Sequence, residues 1–328
     1  MYKSNLIIVI VNHGNANDTV ECIQSLYHQL SKEVNVIIVD NSEGLENVGI
    51  IKNWIDGNCE SIDSRFPNVL GKLNEEALTC NYVLDNTEKK SLKQNQFTLL
   101  KCPNNGFAAA NNLAVETAKS NNWKYEYIWF LNNDTIVSNY AIGSIDDFLQ
   151  RNLSADFIGT SLMEYDDPSL VQSVASGFDT RTFRTKSFDS LDSVPSSFEI
   201  YPNGASFLLS SNFIDKVGGL NEIYFLYFEE LDLVLRAKQK GIIPLYHTDE
   251  IVFHKGGGST GKNSRFADFY YLRSRFLLVS QYFPSKLWRV ILLSIVMYPI
   301  NRILRGQFNR VTLVFSSLIS FNRLRNNG

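Results

Sequence analysis

Two short apolar runs near the start of the chain constrain its fold more than any other feature. Leu6–Val11 is an unbroken run of Leu, Ile and Val, and Val34–Val39 is nearly as apolar. The residues between them show helical spacing over Thr19–Leu30, so the pattern predicts a strand, a helix and a second strand. Strands that are apolar on both faces are typical of parallel sheets, which helices cover on both sides. The chain is therefore predicted to have an α/β fold that binds ligands at the carboxyl ends of its strands.

Later apolar runs extend this sheet and end in polar side chains. Phe97–Lys101 and Tyr127–Leu131 are predicted strands, and Asn132, Asn133 and Asp134 follow the second one directly. A carboxylate at that position is expected to lie in the ligand crevice. Mg²⁺ and Mn²⁺ prefer oxygen ligands, and one or two carboxylates with substrate phosphates are enough to bind Mg²⁺. Asp134 is therefore a candidate metal ligand, and an ordinary turn is the alternative interpretation.

An acidic stretch, Phe225–Arg236, contains the three carboxylates of Glu229, Glu230 and Asp232 within four residues. A helix that begins near Glu229 would have an acidic first turn, which its dipole favours. Asp232 and Arg236 would pair on one face of this helix, whereas Glu230 points away from them and would be able to face a cleft. A solvent-exposed first turn with a stabilising ion pair is the alternative.

The sequence lacks the two best-known phosphate-binding motifs. No GxGxxG follows the first strand, and no Walker A motif occurs in the chain. Asn104–Ala114 is instead predicted to form a turn and to enter a helix that runs to about Ser120. Its small residues would let a ligand approach the backbone, and the amides of a helix N-terminus bind phosphate. An Asn-Gly turn followed by helix-forming alanines explains the segment equally well.

Two internal regions show little regular periodicity. Residues 43–96 are polar and are predicted to be an insertion with one or two short helices. Gly204 and Ala205 lie just before a predicted strand that leads to the acidic stretch. We therefore place there the half of the ligand site that faces the second substrate, the acceptor. The strand-like pieces of this part of the chain are Phe157–Leu162, Phe198–Ile200 and Ala205–Ser210.

The net charge of −3 combines an acidic body with a basic tail. Residues 262–328 carry eleven Lys and Arg and one acid, a charge of +10, whereas residues 1–261 carry 20 basic and 33 acidic residues, a charge of −13. A basic tail favours polyanions, either nucleic acid or an anionic membrane surface. The four cysteines are far apart and suit a reducing compartment, and the apolar run at 6–11 is too short for a secretory signal. A cytoplasmic location is predicted.

Apolar runs within the tail favour a membrane surface over nucleic acid as its partner. Phe266–Phe283 is predicted to be an aromatic helix, and Leu287–Ile300 is a run of 14 residues that includes Arg289. A bilayer span needs about 20 residues, so this run is predicted to be too short to cross. Instead, it and the second run at Val311–Phe321 are predicted to lie on the cytoplasmic face of the inner membrane. Packing against the rest of the chain, or against a second subunit of a homodimer, is the alternative.

In their order and spacing, these segments resemble the family 2 glycosyltransferases with the GT-A fold. The likeness is greatest to the rhamnosyltransferase-type enzymes of bacterial O-antigen, capsule and cell-wall assembly. It covers residues 5–42, 97–138 and 200–275. The resemblance implies a GT-A catalytic domain over residues 1–265, with a mixed, mostly parallel sheet flanked by helices, and a helical extension over residues 266–328.

The resemblance also implies which residues bind the donor and the metal. A nucleoside-diphosphate sugar would be held by Val11, His13, Asp40, Asn105, Gly106, Asn132 and Asn133. Asp134 stands where the family has its DxD-type motif, and His254 precedes the glycine-rich Gly256–Gly258. These two residues would bind Mg²⁺ or Mn²⁺. A buried, hydrogen-bonded strand histidine is the alternative for His254.

The acidic motif of the family usually reads Phe-Glu-Asp-x-Asp, so Glu230 departs from it by one methylene. The resemblance implies that Glu230 is the catalytic base. Glu229 and Asp232 would orient this base or the acceptor, which Gly204 and Ala205 would contact.

The implied activity is an inverting, metal-dependent transfer of a sugar to a hydroxyl of a growing, lipid-linked bacterial glycan. The donor would be a UDP- or dTDP-sugar, with dTDP-rhamnose one candidate. A carboxylate must take the proton of the acceptor hydroxyl, and a divalent cation must absorb the charge on the leaving diphosphate. A sugar-phosphate nucleotidyltransferase is a first alternative, but Asn12–Asp18 contains no Lys or Arg for its basic loop. A non-catalytic nucleotide-sugar-binding module is a second.

Overall fold

The structure is a computed structural model that describes residues 4–31, 33–57, 79–84, 92–256 and 264–327. Its strands are β1 (Leu6–Asn12), β2 (Val34–Asp40), β3 (Cys80–Val83), β4 (Phe97–Lys101), β5 (Tyr127–Asn132), β6 (Thr135–Val137), β7 (Phe157–Thr160), β8 (Leu162–Glu164), β9 (Val171–Ser173), β10 (Ala175–Asp179), β11 (Thr185–Phe188), β12 (Phe198–Tyr201), β13 (Ser206–Ser210), β14 (Leu245–His247) and β15 (Val252–His254). Its helices are α1 (Ala16–Tyr27), α2 (Glu46–Ile55), α3 (Phe107–Ser120), α4 (Ala141–Arg151), α5 (Ser211–Val217), α6 (Glu229–Gln239), α7 (Arg265–Tyr282), α8 (Leu287–Leu304) and α9 (Leu313–Asn327).

The central sheet has the strand order β14-β7-β13-β5-β1-β2-β4-β3. The strands predicted from apolar runs form its parallel centre, with Leu6 paired to both Val34 and Tyr127. The strand β13 runs antiparallel between β5 and β7, so the sheet is mixed and mostly parallel. The predicted α/β fold class is confirmed.

Helices cover both faces of this sheet, because successive side chains of its buried strands point to opposite sides. Ile7 and Val9 of β1 pack with residues of α3, α6 and α7 in one layer. Ile8 and Ile10 pack with residues of α1, α2 and α4 in the other. The strand ends, where the chain leaves the sheet for these helices, are left free to carry polar side chains.

Two smaller sheets lie outside the central one. One has the order β11-β10-β12 and is antiparallel, and the other has the order β6-β15-β8-β9. The predicted insertion at residues 43–96 contributes α2 and the edge strand β3 within its described parts, 43–57, 79–84 and 92–96. The remaining parts of that prediction lie outside the described residues.

The C-terminal extension is helical, as predicted, and α7 packs against α8 and α9. The prediction that this apolar segment is too short to cross a bilayer is wrong by length and composition. The helix continues beyond Ile300 to Leu304, because Pro299 is accommodated inside it. Together with the preceding 3₁₀ turn, Pro284–Leu304 spans 21 residues and is, of the helices described, the one long and apolar enough in composition to cross a membrane. The division of the chain at residue 265 stays a prediction.

Candidate active site

Two adjoining cavities lie at the carboxyl ends of the central strands. The smaller cavity has a volume of about 220 Å³ and the larger one of about 490 Å³. Residues of β5, the α3 N-terminus, the loop before α6 and the end of β15 line both: Phe107, Asn132, Leu226, Tyr227 and His254. A ligand in one cavity would therefore meet a ligand in the other.

The smaller cavity is lined by residues that follow the parallel strands. Its polar and small lining residues are Val11, His13, Asn41, Asn104, Gly106, Asn132, Asn133, Asp134 and His254. His13 Nδ1 lies 3.1 Å from Asn41 Oδ1, and Asn41 donates to Asn104 Oδ1 at 3.4 Å. This chain of hydrogen bonds joins the loops that follow β1, β2 and β4. Most of the residues predicted to bind the donor are thus brought together here.

Two residues predicted to bind the donor lie elsewhere. Asp40 is fully buried and stands apart from the described walls of both cavities. Its carboxylate accepts hydrogen bonds from Asn12 at 2.5 Å, Ser42 at 2.8 Å and Lys101 at 2.7 Å, so it holds the loops around the smaller cavity in place. Asn105 lines a separate depression beside Cys102 instead.

Asp134 and His254 meet where the two cavities join. The pairing of β6 with β15 places Thr135 opposite His254, and the backbone N–H of Lys255 donates to the Asp134 carbonyl at 3.0 Å. His254 Nε2 lies 3.4 Å from Asp134 Oδ1. The two predicted metal ligands are therefore adjacent, although 120 residues separate them in the sequence.

Gln172 orients the His254 imidazole. The Gln172 amide nitrogen donates to Glu164 Oε2 at 3.1 Å and to the His254 carbonyl at 3.2 Å, which fixes the direction of the amide. Its oxygen therefore faces His254 Nδ1 at 2.7 Å and accepts a hydrogen bond from the Nδ1–H group. With the proton on Nδ1, the Nε2 lone pair points toward Asp134, as in metal-binding histidines held by a second hydrogen bond.

A carboxylate and an oriented imidazole fit a Mg²⁺ or Mn²⁺ ion only if the substrate supplies further oxygens. The described residues contain no group of three or more His, Cys, Asp and Glu side chains that could hold a metal. Diphosphate oxygens in the smaller cavity would complete such a site. The predicted glycine-rich segment after Gly256 lies outside the residues that the structure describes.

Glu229 and Glu230 begin α6, as predicted, and both line the larger cavity. Burial raises the pKa of Glu230 to about 7. Burial, followed by the charge of Glu230, raises the pKa of Glu229 well above its usual value. A desolvated carboxyl group that titrates near neutral pH is suited to accept a proton from a substrate.

Gly204 makes room for the Glu230 carboxylate. A Cβ atom at residue 204 would lie 2.1 Å from Glu230 Oε1, so a larger residue would displace the carboxylate. The neighbouring Ala205 also lines the larger cavity, and its carbonyl accepts a hydrogen bond from the Asn132 backbone at 2.9 Å. The two residues predicted to contact the acceptor therefore lie beside the predicted base.

Asp232 has a different environment from the two glutamates. It is fully buried and forms the predicted ion pair with Arg236, at 2.7 Å. It also accepts hydrogen bonds from the hydroxyls of Tyr224 at 3.2 Å and Tyr282 at 2.7 Å. Asp232 therefore anchors α6 to α7, and it lies apart from the described walls of both cavities.

The backbone just before Glu229 is strained. Phe225, Tyr227 and Phe228 have φ values of 66°, 69° and 76°, which bulky residues rarely adopt. The Phe107 backbone N–H donates to the Phe225 carbonyl at 2.8 Å, and Gly106 permits this approach, because a Cβ there would lie 2.4 Å from the Phe225 oxygen. The start of α3 therefore supports one side of this loop.

The helix α7 supports the other side. Ser274 Oγ lies 3.0 Å from the Tyr224 carbonyl oxygen and 2.8 Å from the Leu226 carbonyl oxygen. The Arg273 guanidinium also donates to the Tyr224 carbonyl. The Phe225 ring stacks on the Tyr270 ring, with centroids 4.4 Å apart. Sequence reasoning missed these roles, because nothing in the spacing of α7 links it to residues 224–228.

Comparison with known proteins gave structural matches alone. Neither the protein-family models nor the curated proteins that were searched match this chain. The chain is similar to the solved mannosyltransferase PcManGT from Pyrobaculum calidifontis, in complex with GDP-Man and Mn²⁺, with a TM-score of 0.53, 8% identity, and coverage of 98% of this chain and 88% of that one. S. aureus TarS matches with a TM-score of 0.47 and 11% identity, over 84% of this chain and 39% of that one. TarS 1-349 in complex with UDP-GlcNAc matches with a TM-score of 0.46 and 11% identity, over 84% and 66%. The chain thus shares its overall fold with that mannosyltransferase structure.

Proposed function

We propose that this chain is an inverting, metal-dependent glycosyltransferase that uses a nucleoside-diphosphate sugar. One observation carries the proposal: the buried Glu230 carboxyl faces a cavity whose wall is shared with the cavity that holds Asp134 and His254. Such a pair of cavities can hold an acceptor hydroxyl beside a base and a diphosphate beside cation ligands. The fold shared with a mannosyltransferase solved with GDP-Man and Mn²⁺ supports the same assignment.

The smaller cavity would bind the nucleoside diphosphate, and the larger one the acceptor. His13, Asn41 and Asn104 offer hydrogen bonds to a nucleoside. Asp134 and His254 would hold a Mg²⁺ or Mn²⁺ ion, which when bound neutralises charge on the leaving diphosphate. The donor would be a UDP- or dTDP-sugar, dTDP-rhamnose among them.

The transfer step follows from this placement. The acceptor hydroxyl oxygen attacks the anomeric carbon, and the bond from that carbon to the diphosphate oxygen breaks with its electron pair. The hydroxyl proton passes to Glu230, which must be ionised to accept it. Burial and the charge of Glu230 raise the pKa of Glu229, which favours the protonated form of Glu229 beside the ionised base. Attack from the side opposite the diphosphate inverts the anomeric carbon.

A thermal-shift screen with UDP-, dTDP- and GDP-sugars, with and without Mn²⁺, tests the donor assignment. We expect one donor class to raise the melting temperature, and Mn²⁺ to enhance the effect. Asp134→Ala should abolish the enhancement by Mn²⁺, whereas Asp215→Ala, which removes an exposed carboxylate, should keep it. Equal shifts with and without Mn²⁺ in all three proteins would contradict the metal assignment.

Turnover assays separate the alternatives. Release of pyrophosphate from a nucleoside triphosphate and a sugar phosphate would indicate a nucleotidyltransferase. Donor binding without any hydrolysis or transfer would indicate a binding module. Release of a nucleoside diphosphate from the bound donor would agree with the proposed transferase.

We also propose that the enzyme acts on a lipid-linked glycan at the cytoplasmic face of the inner membrane. Apolar side chains of α8 are exposed, among them Trp288 at 68% and Leu292 at 55%, with Arg289 and Arg305 nearby. Such a helix suits the interface of an anionic membrane. In flotation with vesicles that contain phosphatidylglycerol, Trp288→Ser should lower binding about tenfold, since burying such a side chain is worth about 1.5–3 kcal/mol. Leu153→Ser changes an exposed leucine that is distant from α8 in the sequence, and it should leave vesicle binding unchanged.

A further inference from the structure

A third cavity, of about 340 Å³, lies between α7, α8 and the turn that precedes β11. Its walls differ in character. One wall is apolar and belongs to α8, with Leu293, Met297 and Leu304. Arg184 of the turn before β11 and Arg275 of α7 also line the cavity. An amphipathic molecule with an anionic group would match both kinds of residue.

The acid in this cavity is already neutralised. Asp268 pairs with Arg302 at 2.8 Å and with Arg310 at 3.4 Å, and it accepts a hydrogen bond from the Tyr298 hydroxyl at 2.9 Å. Two arginines and a phenol thus satisfy its carboxylate. The charge of Asp268 is therefore not available to Arg184 or Arg275.

Arg184 and Arg275 form no ion pair with any residue that the structure describes. Arg275 donates to the Ser294 hydroxyl at 2.6 Å, while its Nε is buried and has no hydrogen-bond partner in the described part of the chain. Burial lowers the pKa of Arg275, and the charge of Arg184 acts in the same direction. The half-buried Arg275 has no carboxylate partner among the described residues and the exposed Arg184 lies near it, so the pair is suited to bind an anion.

The third cavity adjoins the larger cavity of the active site at Tyr271. Tyr271 lines both, and its hydroxyl lies 3.0 Å from Thr185 Oγ1, which also lines the larger cavity. The Arg275 guanidinium lies 5.7 Å from the centre of the Tyr271 ring. A ligand that extends past Tyr271 would contact Arg275 at one end and approach Glu230 at the other.

We propose that the third cavity binds the phosphate of a lipid-phosphate-linked acceptor. Arg184 and Arg275 would bind the phosphate, the exposed apolar residues of α8 would contact the lipid chain, and the sugar would pass Tyr271 toward Glu230. Arginine suits this role because its planar group donates two parallel hydrogen bonds to a phosphate. The inference rests on the proposed function, and it adds the chemical class of the acceptor and the place where its lipid-bound end binds.

Calorimetric titration of the full chain with dodecyl phosphate, below its micelle concentration, tests this site. Arg184 is exposed, so Arg184→Gln should fold normally. We expect this substitution to weaken binding about tenfold, as expected for a lost charged hydrogen bond. Arg181→Gln removes an exposed arginine from the same turn, outside the described walls of the cavity, and should change the affinity less than about twofold.

Two further ligands identify what is recognised. Inorganic phosphate should bind more weakly than dodecyl phosphate because it lacks a chain, and dodecyl maltoside should not compete because it lacks a charge. Equal affinity for dodecyl phosphate in the unsubstituted chain and in Arg184→Gln would overturn the inference, and so would equal binding of dodecyl maltoside. The donor screen on the unsubstituted chain does not depend on Arg184, so failure of this inference and failure of the proposed function are distinguishable.

Discussion

The smaller and larger cavities share a wall, yet different kinds of structure form them. Most polar side chains of the smaller cavity follow β1, β2, β4 and β5, so a regular parallel sheet positions them, while Phe225, Leu226 and Tyr227 add an apolar side. The larger cavity is formed by the small sheet of β10, β11 and β12, by the strained loop at residues 224–228, and by Tyr271 of α7. The sheet therefore positions most polar groups of the nucleotide half, whereas the acceptor half depends almost wholly on segments far apart in sequence.

Backbone strain is concentrated in the loop just before the predicted base. Three bulky residues with positive φ stand in the four positions before Glu229, and each such residue costs about 1–3 kcal/mol. Phe107, Arg273 and Ser274 donate hydrogen bonds to the backbone carbonyls of Tyr224 and Phe225, and these bonds hold the loop. The base is thus kept in place by contacts outside its own helix, and its position should be easier to disturb than that of Asp134.

Removal of the base should have the largest effect, because it should stop transfer in the acceptor half and leave donor binding in the nucleotide half intact. Glu230→Gln should lower the transfer rate about 10²–10⁴-fold, because the acceptor proton then has no general base. Donor affinity, measured by calorimetry, should stay within about twofold, since Glu230 faces the larger cavity. Glu250→Gln, at an exposed position, serves as the control. A matching loss of donor affinity would show that the two cavities are not independent.

Displacement of the base without its removal should have the next largest effect. In Gly204→Ala the new Cβ would lie 2.1 Å from Glu230 Oε1, so the carboxylate must move. We expect kcat to fall about 10²-fold, as for other small displacements of a catalytic group. Gly143→Ala in α4 is the matched control, because its Cβ would meet no atom within 4 Å. An unchanged kcat in Gly204→Ala would argue against Glu230 as the base.

The protonation of Glu230 should appear in both rate and stability. The transfer rate should rise with pH through about 7 as this carboxyl group ionises. A raised folded-state pKa stabilises the fold fully below the unfolded pKa, and this contribution is lost as pH rises through about 7. We therefore compare the free energy of unfolding of Glu230→Gln with that of the unsubstituted chain at two pH values. The difference between the two proteins should favour the variant by about 1–3 kcal/mol more at pH 8 than at pH 4. Denaturant titrations at the two pH values measure it, and a pH-independent difference would contradict the assignment.

Loosening the strained loop should have the smallest effect of the four. Ser274→Ala removes the hydroxyl near the Tyr224 and Leu226 carbonyls, and should cost about 1–2 kcal/mol of stability. Transfer should slow several-fold while donor affinity stays constant. Ser280→Ala on the same helix is the control, since its hydroxyl bonds within α7, to the Leu277 carbonyl. Equal effects of the two substitutions on kcat would contradict the proposed role of α7 in supporting the acceptor half.

The two halves also differ in how well the sequence predicts them. Leu6–Val11 and Tyr127–Leu131 were predictable as strands because an apolar run is a local signal, and the position of Asp134 followed from a strand end. The start of α6 was likewise predictable from its acidic first turn. Gln172 was not, because it contacts His254 across 82 residues, and the Ser274 contact with Leu226 spans 48. No local pattern carries such information.

Smaller errors also have physical reasons. Asn104, and not the predicted Asn105, lines the smaller cavity, because Gly106 at a φ of 99° turns the chain there. Asp40 stands at a strand end as predicted, but Lys101 and Asn12 bind its carboxylate inside the fold. Sequence position places a residue at the correct edge of a sheet, and it does not say whether the side chain turns toward the ligand or toward its neighbours.

The dependence of the strained loop on α7 has a practical consequence for anyone who trims this chain to improve its solubility. A version that stops at residue 265 keeps the strand-end side chains, from His13 to Asp134, that are proposed to recognise nucleotide. It discards Ser274 and Arg273, and with them the anchor of the segment that presents Glu230. Such a fragment would keep the polar contacts to nucleotide, although it loses the apolar contact of Phe266, and it would be unable to turn over substrate. Nucleotide binding is therefore a poor indicator that a shortened chain is intact.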